Sequence, residues 1–92
     1  MKYVRIGWKH WHPDEPVTLY SELDDNRFEI RKVEVFRDGR YGYASSGRSR
    51  GSTKLGILAM PELSEIAKDP QFEPVAITRE EFEDVWARSR LG

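Results

Sequence analysis

The sequence predicts an α+β domain: a small, mostly antiparallel sheet of four to five strands, with a short helix and a C-terminal helix packed on one face. Three observations predict it. Apolar and polar residues alternate through the first half of the chain, which is typical of half-buried strands. The dipeptide Asp38-Gly39 separates two such runs, as in a β-hairpin. An amphipathic segment with a capping signal, residues 78–91, closes the sequence.

The length and composition of the chain limit its architecture. Its 92 residues allow one domain, spanning residues 1–92, and the absence of Cys excludes disulfides and thiolate metal sites. The amino-terminal residues resemble a strand rather than a signal peptide, and no stretch approaches the roughly 20 apolar residues that a membrane span needs. We therefore expect a cytoplasmic domain that does not enter a membrane.

Residues 27–44 are expected to form the central hairpin of the sheet. Their apolar residues change parity between Ile30 and Val33. This change predicts either a β-bulge near residues 31–32 or a strand that is buried on one face early and on the other face late. Asp38-Gly39 suits a two-residue turn, because glycine accepts a positive φ without steric cost. The hairpin would form the spine of the sheet.

The other elements are predicted from alternation, proline positions and capping residues. Residues 22–26 are expected to form a polar turn, and residues 45–53 an exposed, mobile loop. Strands are expected over residues 3–8, 17–21 and 54–57, with an edge strand over 72–77. A short helix is expected after Pro61. The last helix is expected to have a Thr78–Glu81 capping box and a buried stripe of Phe82, Val85 and Trp86.

The charges are unevenly distributed along the chain. Residues 27–54 carry a net charge of +5, residues 1–26 carry −2 and residues 55–92 carry −4. A basic middle between acidic ends is either a binding device or a set of groups that neutralise each other in the fold. The second interpretation is favoured, because charge runs are usually solvated faces.

Catalytic and metal sites are weakly indicated. His10 and His12, with Asp14 and Glu15 nearby, have some resemblance to a zinc site, but Pro13 disrupts their spacing and no further His or Cys exists. The serines lie in a polar loop without a nucleophile elbow, which disfavours hydrolysis. We expect no catalytic residue, no metal and no cofactor.

Two binding functions remain open. Aromatic and basic residues of the hairpin and of loop 45–53 could bind single-stranded nucleic acid or a small ligand, although a pI near 6.1 disfavours a dedicated nucleic-acid binder. A protein–protein role needs no catalytic geometry, and exposed aromatic and charged residues would serve it. The candidate partner-binding residues are Trp11, His12, Asp14, Glu22, Asp24, Asp25, Arg48 and Arg50.

Several short sequence motifs carry a family resemblance over nearly the whole chain. They are Pro13-Asp14-Glu15-Pro16, Tyr20-Ser21-Glu22-Leu23-Asp24, Arg31-Lys32-Val33-Glu34, Phe36-Arg37-Asp38-Gly39, Leu55-Gly56, and residues 77–82 with Trp86. The sequence resembles a family of small bacterial domains of unknown function. It also resembles the immunity proteins paired with Rhs-type toxins that ADP-ribosylate elongation factor Tu. The second resemblance implies a monomeric inhibitor that binds its cognate toxin one to one and occludes the NAD-binding cleft.

Overall fold

The computed structural model describes residues 1–51 and 53–91. Its elements, in chain order, are β1 (Lys2–Trp8), β2 (Pro16–Leu23), β3 (Glu29–Phe36), β4 (Tyr41–Ser45), β5 (Arg48–Arg50), α1 (Leu63–Ile66), β6 (Phe72–Ala76) and α2 (Arg79–Leu91). The strands form one sheet in the order β5-β4-β3-β2-β1-β6, and all pairs are antiparallel. The predicted α+β class is therefore confirmed.

The sheet has six strands rather than four to five because residues 48–50 pair with β4. The expectation of a mobile loop over residues 45–53 is therefore wrong for β5. Gly47, with φ of 85°, lies in the turn that joins the two strands. β5 has a polar sequence without alternating apolar residues. Its strand conformation therefore depends on the backbone hydrogen bonds that it forms with β4.

Strand β3 has the predicted bulge where it pairs with β2, and the turn between β3 and β4 is longer than predicted. The register changes from Glu22 opposite Arg31 to Leu23 opposite Glu29, which leaves Ile30 unpaired and confirms a bulge next to the predicted position. The turn comprises residues 37–39, since the Phe36 carbonyl accepts from the Gly39 amide at 2.9 Å. Gly39 has φ of 91°, as expected where a type I turn is followed by a left-handed residue.

Residues 53–56 do not form a strand, so the strand predicted over residues 54–57 is wrong. Side chains of β3, rather than the backbone of a neighbouring strand, form hydrogen bonds with these residues. The Thr53 hydroxyl donates to Glu34 Oε1 at 2.5 Å, and the Gly56 amide donates to Glu29 Oε1 at 2.6 Å. The alternation of Leu55 and Ile57 predicted pairing with a neighbouring strand. The side-chain hydrogen bonds of this segment do not form such a β-ladder.

Gly42 provides the clearance that residue Thr53 needs. A Cβ atom at Gly42 would lie 2.1 Å from Thr53 Oγ1 and 3.3 Å from Thr53 Cβ, so a larger side chain would displace Thr53. A Cβ atom at Gly56 would lie 2.9 Å from Glu29 Oε1, but this carboxylate is the end of a flexible side chain and can move aside. The close approach of Thr53 to β4 therefore depends on glycine at position 42.

Helix α2 covers one face of the sheet. Its capping box is confirmed, because Thr78 Oγ1 accepts from the Glu81 amide at 3.1 Å. Phe82 is fully buried, with its ring centroid 5.6 Å from that of Tyr3. Val85 is also buried, and Trp86 packs edge-on against Tyr43 at 5.4 Å. The predicted apolar stripe therefore forms the core on this face.

The short helix α1 lies on the opposite face, so the expectation that both helices pack on one face is wrong. Ile66 of α1 lines a cavity together with Ile6, Leu19 and Phe72. Ile6, Leu19 and Phe72 point to one face of the sheet. Tyr3 and its register partners point to the other face, which α2 covers. The sheet is thus sandwiched between α2 and the segment that contains α1.

One arginine connects three elements under α2. Arg31 of β3 donates from Nε to Glu22 Oε1 of β2 at 2.7 Å and from Nη1 to Glu83 Oε1 of α2 at 2.9 Å. Its Cζ lies 4.9 Å from the ring centroid of Phe82 and 5.1 Å from that of Trp86. The Arg31 hydrogen bonds lower the pKa of both the Glu22 and Glu83 carboxyls.

Replacing Arg31 with Met tests the contribution of this network. The change leaves the mostly buried Glu22 carboxylate without its cation, so we expect the free energy of unfolding to fall by about 3 kcal/mol. Urea unfolding followed by circular dichroism measures it. The control is Arg48→Met on the exposed β5, and equal stability losses in the two variants would contradict the assigned role.

The lowered pKa values predict a stability that depends on pH. A carboxyl whose pKa is lower in the folded state stabilises the fold fully above its ordinary pKa, about 4.3 for glutamate, and loses this contribution as the pH falls through the lowered value. Stability should therefore decline below the ordinary range of glutamate. Urea midpoints measured from neutral pH to about pH 3 should decline less steeply in Arg31→Met than in the native sequence. Parallel declines would refute this assignment.

Candidate partner-binding surface

The strand directions place the loops of the sheet at two opposite ends. β1 and β3 run in the same direction, so residues 9–15, which follow β1, and residues 37–40, which follow β3, lie at the same end. We call this the loop end. Residues 24–28 and 46–47 connect strands at the other end, which we call the turn end.

The predicted partner-binding residues do not form one surface. Trp11, His12 and Asp14 lie at the loop end, whereas Asp24, Asp25 and Arg48 lie at the turn end. Arg50, the last residue of β5, points its Nη1 at the Ser89 carbonyl of α2 at a distance of 3.3 Å. It also lines a cavity of about 760 Å³ with Asp14 and Arg40.

Two of the predicted acidic residues have structural partners. Glu22 belongs to β2 rather than to a turn, and it is 6% exposed, with both carboxylate oxygens bound by Arg31. Asp24 Oδ1 accepts from the amides of Asn26 at 2.8 Å and Phe28 at 3.0 Å, so this carboxylate organises the turn. The expectation that Glu22 lies in an exposed turn is wrong.

His10 organises the first loop of the loop end. Its Nδ1 accepts from the His12 amide at 3.0 Å, and its Nε2 lies 2.7 Å from the Pro16 carbonyl. Because Nδ1 accepts, the proton is assigned to Nε2, which donates to Pro16. The His10 ring also packs against Trp8 at 4.3 Å. These contacts connect His10 to His12 and Pro16, although most of residues 10–16 are exposed.

Trp11 is presented to solvent by this loop. It is 88% exposed, and the Arg37 guanidinium lies 5.0 Å from its ring centroid. Arg37 Nη2 also donates a hydrogen bond to the His10 carbonyl. Arg37 thus connects the hairpin turn both to the His10 carbonyl and to the Trp11 ring. An exposed tryptophan held between fixed groups can bind a partner with little loss of conformational entropy.

The family of the chain follows from comparison with known proteins. Residues 2–91 match the family described as Domain of unknown function (DUF6881). The chain belongs to this family. The predicted resemblance to small domains of unknown function is therefore confirmed, whereas no curated protein and no solved structure matches the chain.

Much of the positive charge of residues 27–54 is compensated within the fold. Arg27 lies 3.5 Å from Glu62, Lys32 lies 3.7 Å from Glu29, and Arg31 binds two glutamates as described above. These contacts support the interpretation that oppositely charged parts of the sequence neutralise each other. Within residues 1–51 and 53–91, Arg37 has no carboxylate within 4.0 Å.

Other candidate sites have little support from the geometry. The rings of His10 and His12 stack at 5.5 Å, and the described part of the chain contains no group of three or more His, Cys, Asp or Glu placed to hold a metal ion. A cavity of about 410 Å³ lies between the sheet and α1 and is mainly apolar. Neither described helix is long and apolar enough to cross a membrane.

His10 and Arg37 were absent from the predicted partner-binding set. Sequence order could have indicated Arg37, because the loops after β1 and β3 must meet at one end of an antiparallel sheet. Nothing in the sequence indicated that the His10 imidazole accepts from an amide two residues ahead. That contact depends on how the loop turns after β1.

Replacing Arg37 with Ala should release Trp11. The change removes the group stacked on the indole and the hydrogen bond to His10, so the indole should become more mobile. We expect a lower heteronuclear NOE at the Trp11 indole Nε1–H by NMR. In the control, Arg40→Ala, the Trp11 signal should keep its native value, because Arg40 instead contacts Asp38 and Phe36. An unchanged NOE in Arg37→Ala would refute the contact.

Proposed function

We propose that this domain is an immunity protein that binds and neutralises a cognate antibacterial toxin, an ADP-ribosyltransferase, by occluding its active-site cleft. The observation that carries the proposal is the 88% exposure of Trp11 on a loop fixed by internal hydrogen bonds. Tryptophan is among the residues that dominate binding hot spots, so an exposed tryptophan on such a loop favours a binding role.

The position of the two loops at the loop end supports occlusion of a cleft. The loop after β1 and the hairpin turn after β3 project from the same end of the sheet, and they contact each other through Arg37 and Trp11. The polar network of Arg31 lies beneath α2 and is not part of these loops. A partner could therefore cover the loop end without disturbing the interactions that stabilise the fold.

Acidic side chains of the loop end would assist association with a basic cleft. Asp14 and Glu15 are exposed in the same loop as Trp11, and carboxylates there would attract the basic groups that bind the phosphates of NAD. Opposite charges on two surfaces mainly increase the rate of association and the specificity. This support is chemical, and it applies to the loop end rather than to Asp24 and Asp25.

Co-expression with a toxin domain tests the proposal. The toxin domain encoded next to this chain should form a one-to-one complex with it, and the complex should lack ADP-ribosyltransferase activity. Cells that express the toxin alone should stop growing, and co-expression should restore growth. Size-exclusion chromatography with light scattering measures the stoichiometry.

A matched control separates inhibition from an effect of expression. The Arg31→Met variant should be less stable but should retain the loop end, so it should still bind at a temperature where it is folded. Growth arrest that persists during co-expression of the native chain, with no complex on the column, would exclude the immunity function.

A further inference from the structure

We propose that Trp11 and Arg37 act together as a preformed anchor that enters an apolar pocket of the toxin domain, with a toxin carboxylate at the rim of that pocket binding Arg37. This inference rests on the proposed function and deepens it, because it names the contact and the chemistry of the partner's surface. The arguments are the contacts that position the pair, the uncompensated charge of Arg37 and the acidic groups in the same loop as Trp11.

The first argument is that the indole is already held in position. The Arg37 Cζ atom lies 5.0 Å from the centroid of the Trp11 ring, and Trp11 remains 88% exposed. The hydrogen bonds of His10 to His12 and Pro16 fix the backbone on which Trp11 stands. A large aromatic side chain that loses little freedom on binding is suited to fill a pocket.

The second argument is the charge of Arg37. The other basic side chains of the two loops at this end have carboxylate partners: Lys9 lies 3.0 Å from Glu73, and Arg40 lies 2.7 Å from Asp38. Arg37 donates only to a backbone carbonyl among the residues described, so its positive charge is not compensated there. A carboxylate of the partner would complete the charge-assisted hydrogen bonds that arginine forms best.

The third argument concerns the class of partner. Asp14 and Glu15 are exposed in the same loop as Trp11 and have no basic partner within 4.0 Å among the described residues. Asp14 and Glu15 would repel the phosphates of a nucleic acid strand that follows this loop, although Asp14 also lines a cavity with Arg40 and Arg50. A protein surface can instead place a carboxylate opposite Arg37 and basic groups opposite Asp14 and Glu15. The observations therefore favour a protein partner.

The test measures the affinity of the purified toxin domain for variants of this chain by isothermal titration calorimetry. We expect Trp11→Ala to weaken binding by at least 30-fold and Arg37→Ala by about 10-fold. The affinity of the double variant should fall by less than the product of the two single fold-changes, because the two side chains act as a unit. Thermal melting should match the native chain, since both side chains are exposed.

Two control substitutions match the variants in chemistry but lie elsewhere. Leu58→Ala removes a large apolar side chain that is 79% exposed, and Arg48→Ala removes an exposed arginine at the turn end. Both should bind as tightly as the native chain. Arg37→Lys should recover only part of the affinity, because an ammonium group cannot form the bidentate pair or stack on the indole in the same way.

The possible outcomes separate this inference from the proposed function. Native-like affinity of Trp11→Ala and Arg37→Ala for the toxin would overturn the anchor and leave the immunity function standing. A native chain that does not bind the toxin would overturn both. Binding of a single-stranded oligothymidine, lost in Trp11→Ala and not matched by toxin binding, would overturn the inference in favour of a nucleic-acid partner.

Discussion

The arrangement of the sheet and α2 depends on the guanidinium of Arg31. It binds one carboxylate from β2 and one from α2, and it lies against two aromatic rings of the helix. Without this cation, Glu22 and Glu83 would face each other as like charges in a partly buried interface, which is costly. The apolar stripe of α2 provides burial, but hydrophobic contact is not directional. The arginine therefore sets where along the sheet the helix lies.

β3 organises the opposite face of the sheet as well. On that face, Glu29 and Glu34 form hydrogen bonds with residues 53–56. Lys32 donates to the Lys54 carbonyl in the same segment. One strand thus fixes the position of both covering layers through polar side chains, while the loops at the loop end are held by separate contacts. Because the two sets of interactions are separate, the loop end can change in sequence with little effect on the stability of the fold.

Local signals explain what the sequence could predict. The class, the bulge and the capping box follow from periodicity and from residues close in sequence, and each is confirmed. The errors concern long-range partners: β5 has no apolar alternation, and residues 54–57 have alternation but bind side chains. The burial of Glu22 depends on Arg31, which the turn-like sequence of residues 22–26 does not reveal. At the site, exposure of Trp11 was anticipated, whereas its contact with Arg37 required the strand order.

The order of strands also determines how the chain must assemble. β2 to β5 each pair with the preceding strand, so these hairpins can form as the chain emerges from the ribosome. The outer edge of β1 remains without a partner until β6 has been synthesised, and Tyr3 stays uncovered until α2 follows. An open strand edge is a template for pairing with other chains. The nascent domain is therefore most prone to aggregation before its last two elements are made, even though the completed sheet protects that edge.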